Sequence, residues 1–155
     1  WSLRNLVRAE LGKGFGLYQS NPSTAFSPVA VRPDELDEAW DGAKVNLPLT
    51  VAINDAPFGK PEAGVDMTFD FPRLLAHITK TRNARAGTIL GTGTISIYDR
   101  SRGSACLAER RTLELLEQGK PVTPFLKFGD RVRIEMLDAA GASVFGAIDQ
   151  QVAKA

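Results

Sequence analysis

Few residues in this sequence have types and spacings that suggest chemistry, and they fall in separate stretches. "GKGFG" at 12–16 sets Lys13 among three glycines. Glycine gives backbone freedom and close approach, so an ammonium held there can meet an anion, a metal-bound carboxylate or an oxyanion. A surface lysine in a turn has the same spelling. The stretch is not a phosphate-binding P-loop, because no Lys-Ser/Thr pair follows at the required spacing. "LGTGTIS" at 90–96 places Thr92 and Thr94 around Gly93. A glycine inside a strand marks either a bulge or a close backbone approach; in the second case N–H groups and a threonine hydroxyl suit a carboxylate. Glu109, after "RGSACLA", is a candidate general acid–base or water-orienting group; its plainer role is a solvated partner of Arg110 or Arg111. Asp66 and Asp70, in "GVDMTFDF", fit a hard-cation site or helix capping, and they lack the clustered oxygens that magnesium or calcium requires. His77 is the only histidine. It lies on an apolar-striped segment and reads as structural, since one His cannot make a typical zinc site. The basic run Lys80, Arg82, Arg85 has no interleaved aromatics and reads as a helix end rather than a nucleic-acid surface.

The elements that must carry these residues belong to one domain, residues 1–155, by length. A hydrophobic fraction of 43% and a charged fraction of 24% are those of a globular chain. A net charge of +1 provides no global field for nucleic acid or an anionic membrane. The single cysteine, Cys106, excludes an internal disulfide framework and a cysteine-rich zinc site, and a reducing, cytoplasmic setting fits it. No apolar run approaches the roughly 18 residues that span a bilayer.

Residues 2–11, directly after Trp1, suit a short helix or an irregular turn, broken by the glycines that follow. Residues 26–33 read as a short extended edge, and 33–40 as an acidic helix start with Pro33 in the first turn. Val45, Leu47, Leu49, Val51 and Ile53 alternate, which predicts a half-buried strand closed by an Asn54-Asp55 turn. Residues 70–82 predict the best helix, capped by Asp70, with Leu74, Leu75 and Ile78 as its stripe. Residues 88–98 read as strand, Gly-Thr kink, strand. Residues 129–152 read as a β-hairpin turning at "DAAG". Residues 104–118 are Leu- and Glu-rich, which favours helix, yet they sit between strands. The sum is an α+β chain, mainly β with one substantial helix.

Several of these pieces occur together and in order: "WS-x-R" from Trp1, "GK-x-FG", "LLAH", "GTIL-x-x-GTIS", "RGS", "FGD-x-V-x-I" and "FGAIDQ". Over nearly the whole length the chain resembles the fumarylacetoacetate hydrolase family, closest to the bacterial fumarylacetoacetase-like proteins of aromatic (tyrosine and phenylalanine) catabolism. The resemblance implies the family's mixed β-sandwich/roll, of which 1–155 would be the C-terminal half of the catalytic domain. It implies a catalytic Mg²⁺ or Ca²⁺ whose carboxylate ligands all lie upstream of Trp1: an Asp directly before that residue and others further back, with a catalytic His there too. It implies a missing N-terminal half and a homodimer as partners, and a diketo or oxo acid as substrate.

Residue by residue, Arg4 matches the motif arginine at the substrate site. Lys13 matches the lysine beside the metal, and Thr94 the threonine that binds a substrate carboxylate. Glu109 matches the glutamate that works on the attacking water, although it stands six residues after Gly103 where the animal enzymes have four. Val7 and Leu17 stand where those enzymes carry a substrate-contacting Gln and a Thr near the metal. The implied reaction is hydrolysis of a carbon–carbon bond in a β-diketone acid, most directly fumarylacetoacetate to fumarate and acetoacetate. The alternatives are a decarboxylase, isomerase or hydratase of the same family, a fragment inactive by itself, or a plain β-rich binding module.

Overall fold

The computed structural model describes residues 1–154; Ala155, the last position of the expected domain, lies outside the described residues. The architecture is α+β, as expected. Three α-helices are present: α1 (Arg4–Gly12), α2 (Phe71–Ile78) and α3 (Leu107–Gln118). Four strands, β1 (Leu49–Ile53), β2 (Ala56–Gly59), β3 (Arg131–Met136) and β4 (Ile148–Gln151), form one sheet in the order β2-β1-β3-β4.

Every pairing in the sheet is antiparallel. The Asn54-Asp55 turn joins β1 to β2, with both residues at positive φ (51° and 63°). This is the two-residue hairpin geometry that Asn and Asp tolerate and whose twist matches the strands. The second hairpin also forms where expected: Gly141 N–H donates to Asp138 O, and β3 pairs β4 with Ile134 opposite Ile148. The central contact, β1 against β3, joins residues far apart in sequence. It sets Leu49 opposite Met136, Val51 opposite Ile134 and Ile53 opposite Val132.

The period-two pattern divides the sheet into two faces. The face of Val51 and Ile134 is apolar. The face of Arg131, Arg133, Glu135 and Asp149 is an ion network, with Arg131 Nε to Asp149 Oδ1 at 2.6 Å and Arg133 Nη1 to Asp149 Oδ2 at 3.0 Å. Such exposed pairs contribute little each; here they cover the sheet face with solvated charge.

Two expectations are corrected. The helix expected over 70–82 ends at Ile78. Its start is as expected, with Arg73 N–H donating to Asp70 Oδ1 at 2.8 Å. At its end Thr79 donates both N–H and Oγ1 to Leu75 O, and Lys80 N–H reaches back to His77 O. The β-branched residues Ile78, Thr79 and Thr81 favour this tightened stop over continuation. Residues 88–98 form no strands: Gly93 supplies the kink (φ 85°), but no segment pairs with either arm. Residues 104–118, open from sequence, hold the longest helix, closed by Gly119 in the left-handed conformation.

A close crossing ties α3 to the sheet. Gly59, ending β2, bridges Gly103, and Lys60 N–H donates to Arg102 O at 2.7 Å. A Cβ on Gly59 would lie 2.2 Å from Ser104 O, and one on Gly103 would lie 2.6 Å from Phe58 O. Only glycine fits both sides of this contact.

The core is thin. Val7, Leu47 and Val51 are its buried apolar residues, while Phe15, Tyr18 and Tyr98 are each 85% or more exposed. The accessible surface is 11155 Å² for 16.8 kDa, against about 7700 Å² for a compact monomer of that mass.

Candidate functional site

The apolar sheet face does not end in solvent. Leu49, Ile134, Met136 and Ile148 floor a cleft of about 480 Å³. The start of α2 (Phe71, Leu74) and residues 66–69 form one wall, and Thr92, Thr94, Ile95 and Ser96 form another. That volume suits a small organic ligand. The Trp40 and Phe71 rings lie 6.1 Å apart, tilted, behind the first wall. Asp66 joins the two walls: its carboxylate accepts from Tyr98 N–H at 2.8 Å. Asp66 and Asp70 are therefore occupied with backbone N–H groups, Asp70 as the helix cap. His77 is exposed on α2 and contributes nothing to the cleft.

Thr94 lines the cleft, and Thr92 and Ser96 line it with it. The three hydroxyls recur at every second position of the sequence, and Ile95 between the last two lines the cleft as well. Ser96 belongs to the same "GTGTIS" string, so that period was the signal by which it could have been found. Gly93 faces open space where a Cβ would be, so its role within this chain is the positive φ and not a close approach.

Glu109 sits on the first turn of α3, and its Oε1 accepts from Ser96 Oγ. Its Oε2 is buried and, among the described residues, has no hydrogen-bond partner. A sealed carboxylate oxygen without a donor is rare. The structure thus brings Glu109 against Ser96 on the wall that carries Thr94, with one oxygen hydrogen-bonded and the other buried without a partner among the described residues.

The base beneath α3 is rigid. Glu114, 2% exposed, accepts from Val122 N–H at 2.7 Å, Thr123 N–H at 2.8 Å, the Thr123 hydroxyl, and Arg110 Nε at 3.1 Å. The Thr123 hydroxyl above all, with the backbone donors, holds its carboxyl down at about 2. That loop presents Phe125 to two guanidiniums, Arg111 at 4.3 Å and Arg4 at 5.8 Å from the ring centre. Cation–π attraction thereby ties Arg4, on the first turn of α1, to the α3 region.

Lys13 is exposed, in the position closing α1, and no contact brings it to the cleft. The metal that the resemblance sets beside Lys13 lies outside residues 1–154, and within this chain the side chain is exposed. Arg4 and Lys13 share one short helix, roughly 13 Å apart along its axis at 1.5 Å per residue. Arg4, Lys13, Thr94 and Glu109 thus form two groups: Thr94 with Glu109 at the cleft, and the two cations on α1.

Trp1, the residue beside which a metal carboxylate is expected, stands with the α1 group and apart from the cleft. It is 53% exposed, precedes the helix and lines no part of the cleft wall. The carboxylate ligands expected upstream of Trp1 fall outside the described residues.

Among the described residues no three of His, Cys, Asp and Glu gather to hold a metal, and residues 1–154 do not fit a complete cation site. No helix among them is long and apolar enough to cross a membrane. Among curated proteins none matches the chain significantly. Residues 1–153 match the family described as fumarylacetoacetate (FAA) hydrolase, C-terminal. That match spans α1, the cleft and α3 alike, and the chain belongs to the fumarylacetoacetate hydrolase family.

Proposed function

We propose that this chain carries the acid–base and substrate-anchoring half of an enzyme that hydrolyses a carbon–carbon bond in a β-diketone acid, with fumarylacetoacetate as the first substrate to test. Members of this family are enzymes of hydrolase, decarboxylase or isomerase type that generally use a divalent metal. The observation that carries the hydrolytic reading is Glu109: one oxygen is held by Ser96, a cleft-lining residue, and the other is buried without a hydrogen-bond partner among the described residues. In this reading a carboxylate oxygen with no donor of its own takes a proton from a water that reaches it from the cleft side. That water attacks the carbonyl carbon, and the bond to the acetoacetate carbon breaks. The electron pair leaves on that carbon and is quenched by a proton, giving fumarate and acetoacetate. In this reading the Thr94 hydroxyl donates to a substrate carboxylate, and Arg4 and Lys13, which do not line the cleft within this chain, meet negative charge once the rest of the protein completes the site.

The metal, Mg²⁺ or Ca²⁺ in this reading, is held by carboxylates upstream of Trp1, outside residues 1–154. The exposed area favours a working assembly in which further protein covers this chain: the upstream half of the same protein and a second copy, in the cytoplasm.

The test is steady-state turnover of fumarylacetoacetate by the full-length protein, with oxaloacetate and acylpyruvates as competing substrates and products identified by NMR. Fumarate and acetoacetate are expected, and Glu109→Gln should lower kcat by about 10²-fold or more. Turnover of oxaloacetate to pyruvate, with fumarylacetoacetate untouched, would replace the hydrolase with the decarboxylase.

A further inference from the structure

Glu10 lies on the last turn of α1, three residues before Lys13. Its carboxylate takes four hydrogen bonds from the far end of the glycine loop. Tyr18 N–H donates at 2.8 Å, Gln19 N–H at 2.7 Å, Ser20 N–H at 3.1 Å and Ser20 Oγ at 2.6 Å. Successive N–H groups converging on one anion form a nest. The Ser20 hydroxyl first, then the Tyr18 amide, pull the Glu10 carboxyl down to about 2, so the clamp is ionised at neutral pH.

Ser20 also holds the other end of the helix. It is fully buried, and its carbonyl accepts from Leu3 N–H at 2.7 Å. One residue therefore fastens the start of α1, beside Arg4, and its last turn, beside Lys13. Packing does not hold the loop between: every residue from Leu11 to Gln19 is exposed. Gly14 and Gly16, at φ 78° and 83°, turn the chain back toward Ser20. Polar contacts alone give this loop its shape.

We propose that Glu10 is a positioning residue: through Ser20 it fixes the 11–17 loop and sets the separation of Lys13 and Arg4, two cations that meet negative charges of an oxo-acid substrate. The proposal rests on the reading that these two cations meet substrate. It assigns Glu10 no contact with the reacting atoms. A longer-range consequence is specificity, since a pair of cations at a set separation selects acids by where their charges lie.

The test uses the full-length protein with Glu10→Gln, Lys13→Ala, the double variant, Arg4→Ala and Ser20→Ala. Glu10→Gln puts an amide where donors converge. It should speed hydrogen exchange at Tyr18, Gln19 and Ser20 and tryptic cleavage after Lys13, each by about tenfold or more. With fumarylacetoacetate it should lower kcat by about tenfold or more, and Lys13→Ala should add little in that background. Ser20→Ala keeps the nest and removes one donor, so it should show the same signs at smaller size without risk to folding. Unchanged exchange in Glu10→Gln overturns the clamp. Faster exchange with wild-type kcat, or losses that add fully with Lys13→Ala, overturns the positioning role. If Lys13→Ala and Arg4→Ala leave turnover intact while exchange responds, the substrate role of the cations is what fails. Exchange and proteolysis need no turnover, and fumarate binding by calorimetry replaces kcat should fumarylacetoacetate be inert.

Discussion

Residues 49–53 and residues 92–97 are both extended, and only the first stretch is held by its neighbours. β1 lies between β2 and β3, with Val51 4% exposed and facing Ile134. Among the described residues the backbone of 89–97 makes no hydrogen bond; the segment is tethered by its side chains and ends, through Ser96 to Glu109 and Tyr98 to Asp66. The cleft therefore has a rigid floor and a loosely bound side. A ladder fixes position through many weak bonds at once, whereas two tethers fix only two points. The difference assigns the roles: the sheet is scaffold, and the 92–96 segment is where a ligand can add the missing contacts. Loops set on a rigid scaffold are where binding groups concentrate.

The sharpest way to break the comparison is at the crossing that anchors α3 to the scaffold. Gly59→Ala would drive a methyl group into Ser104 backbone at 2.2 Å. It should cost about 3 kcal/mol in denaturant unfolding, and activity should fall with it because Glu109 rides on α3. A loss below about 0.5 kcal/mol would mean that the two segments separate easily.

In the loosely bound segment the opposite signature is expected. Thr94→Val keeps the β-branched shape and deletes the hydroxyl. Stability should stay within about 0.5 kcal/mol, while kcat/KM in the full-length enzyme should fall about tenfold to a hundredfold. The loss should shrink for a substrate whose carboxylate is esterified. Equal losses for acid and ester would return Thr94 to a purely structural role.

Acid sharpens the contrast in another way. Glu10, Glu114 and Asp130 are each held down at about 2 by hydrogen bonds: the Ser20 hydroxyl, the Thr123 hydroxyl and the Lys127 amide come first, respectively. A carboxyl depressed on folding contributes stability that is complete above its unfolded value, here about 4. That stability is lost as pH falls toward 2. Tm should therefore be flat from pH 7 to about pH 5 and fall between about pH 4 and pH 2. Glu114→Gln should flatten part of that fall; an unchanged pH profile would show that its bonds persist when it is neutral.

The smallest effect belongs to the sheet's own turn. Asn54 carries φ 51° and bridges strands: its Nδ2 donates to Asp130 Oδ1 at 3.0 Å, and its Oδ1 accepts from Arg131 N–H at 2.9 Å. Asn54→Gly keeps the backbone and loses the bridge, costing about 1 kcal/mol. Asn54→Ala should cost about 1 kcal/mol more for the left-handed conformation. Equal costs for the two would show that the turn relaxes out of that conformation.

The local features were legible because they depend on neighbours in sequence. Asp70 as a cap, Asn54-Asp55 as a hairpin turn and the "DAAG" turn each need only a few residues to decide them. The cleft wall was half legible: "GTGTIS" drew Thr92 and Thr94 into view, and the same alternation extends to Ser96. Glu109 was visible as a carboxylate. Its pairing with Ser96 was not, because thirteen positions separate them and only the crossing at Gly59 and Gly103 brings α3 to that wall. The separation of Trp1, Arg4 and Lys13 from the cleft was equally hidden, because motif order along a chain carries no distance between motifs.

By itself the sequence determined the period of each element, the turns, the balance of charge and the ordered motifs that mark the family. Tertiary structure decided the rest. It made 107–118 a helix, because an apolar and acidic pattern there is compatible with more than one state until Glu114 finds the 122–123 amides. It left 88–98 unpaired, because alternation gives a segment the capacity to be a strand while a ladder requires a second backbone beside it. It made Glu10 a clamp, because a carboxylate becomes a structural anion only where folded amides converge on it.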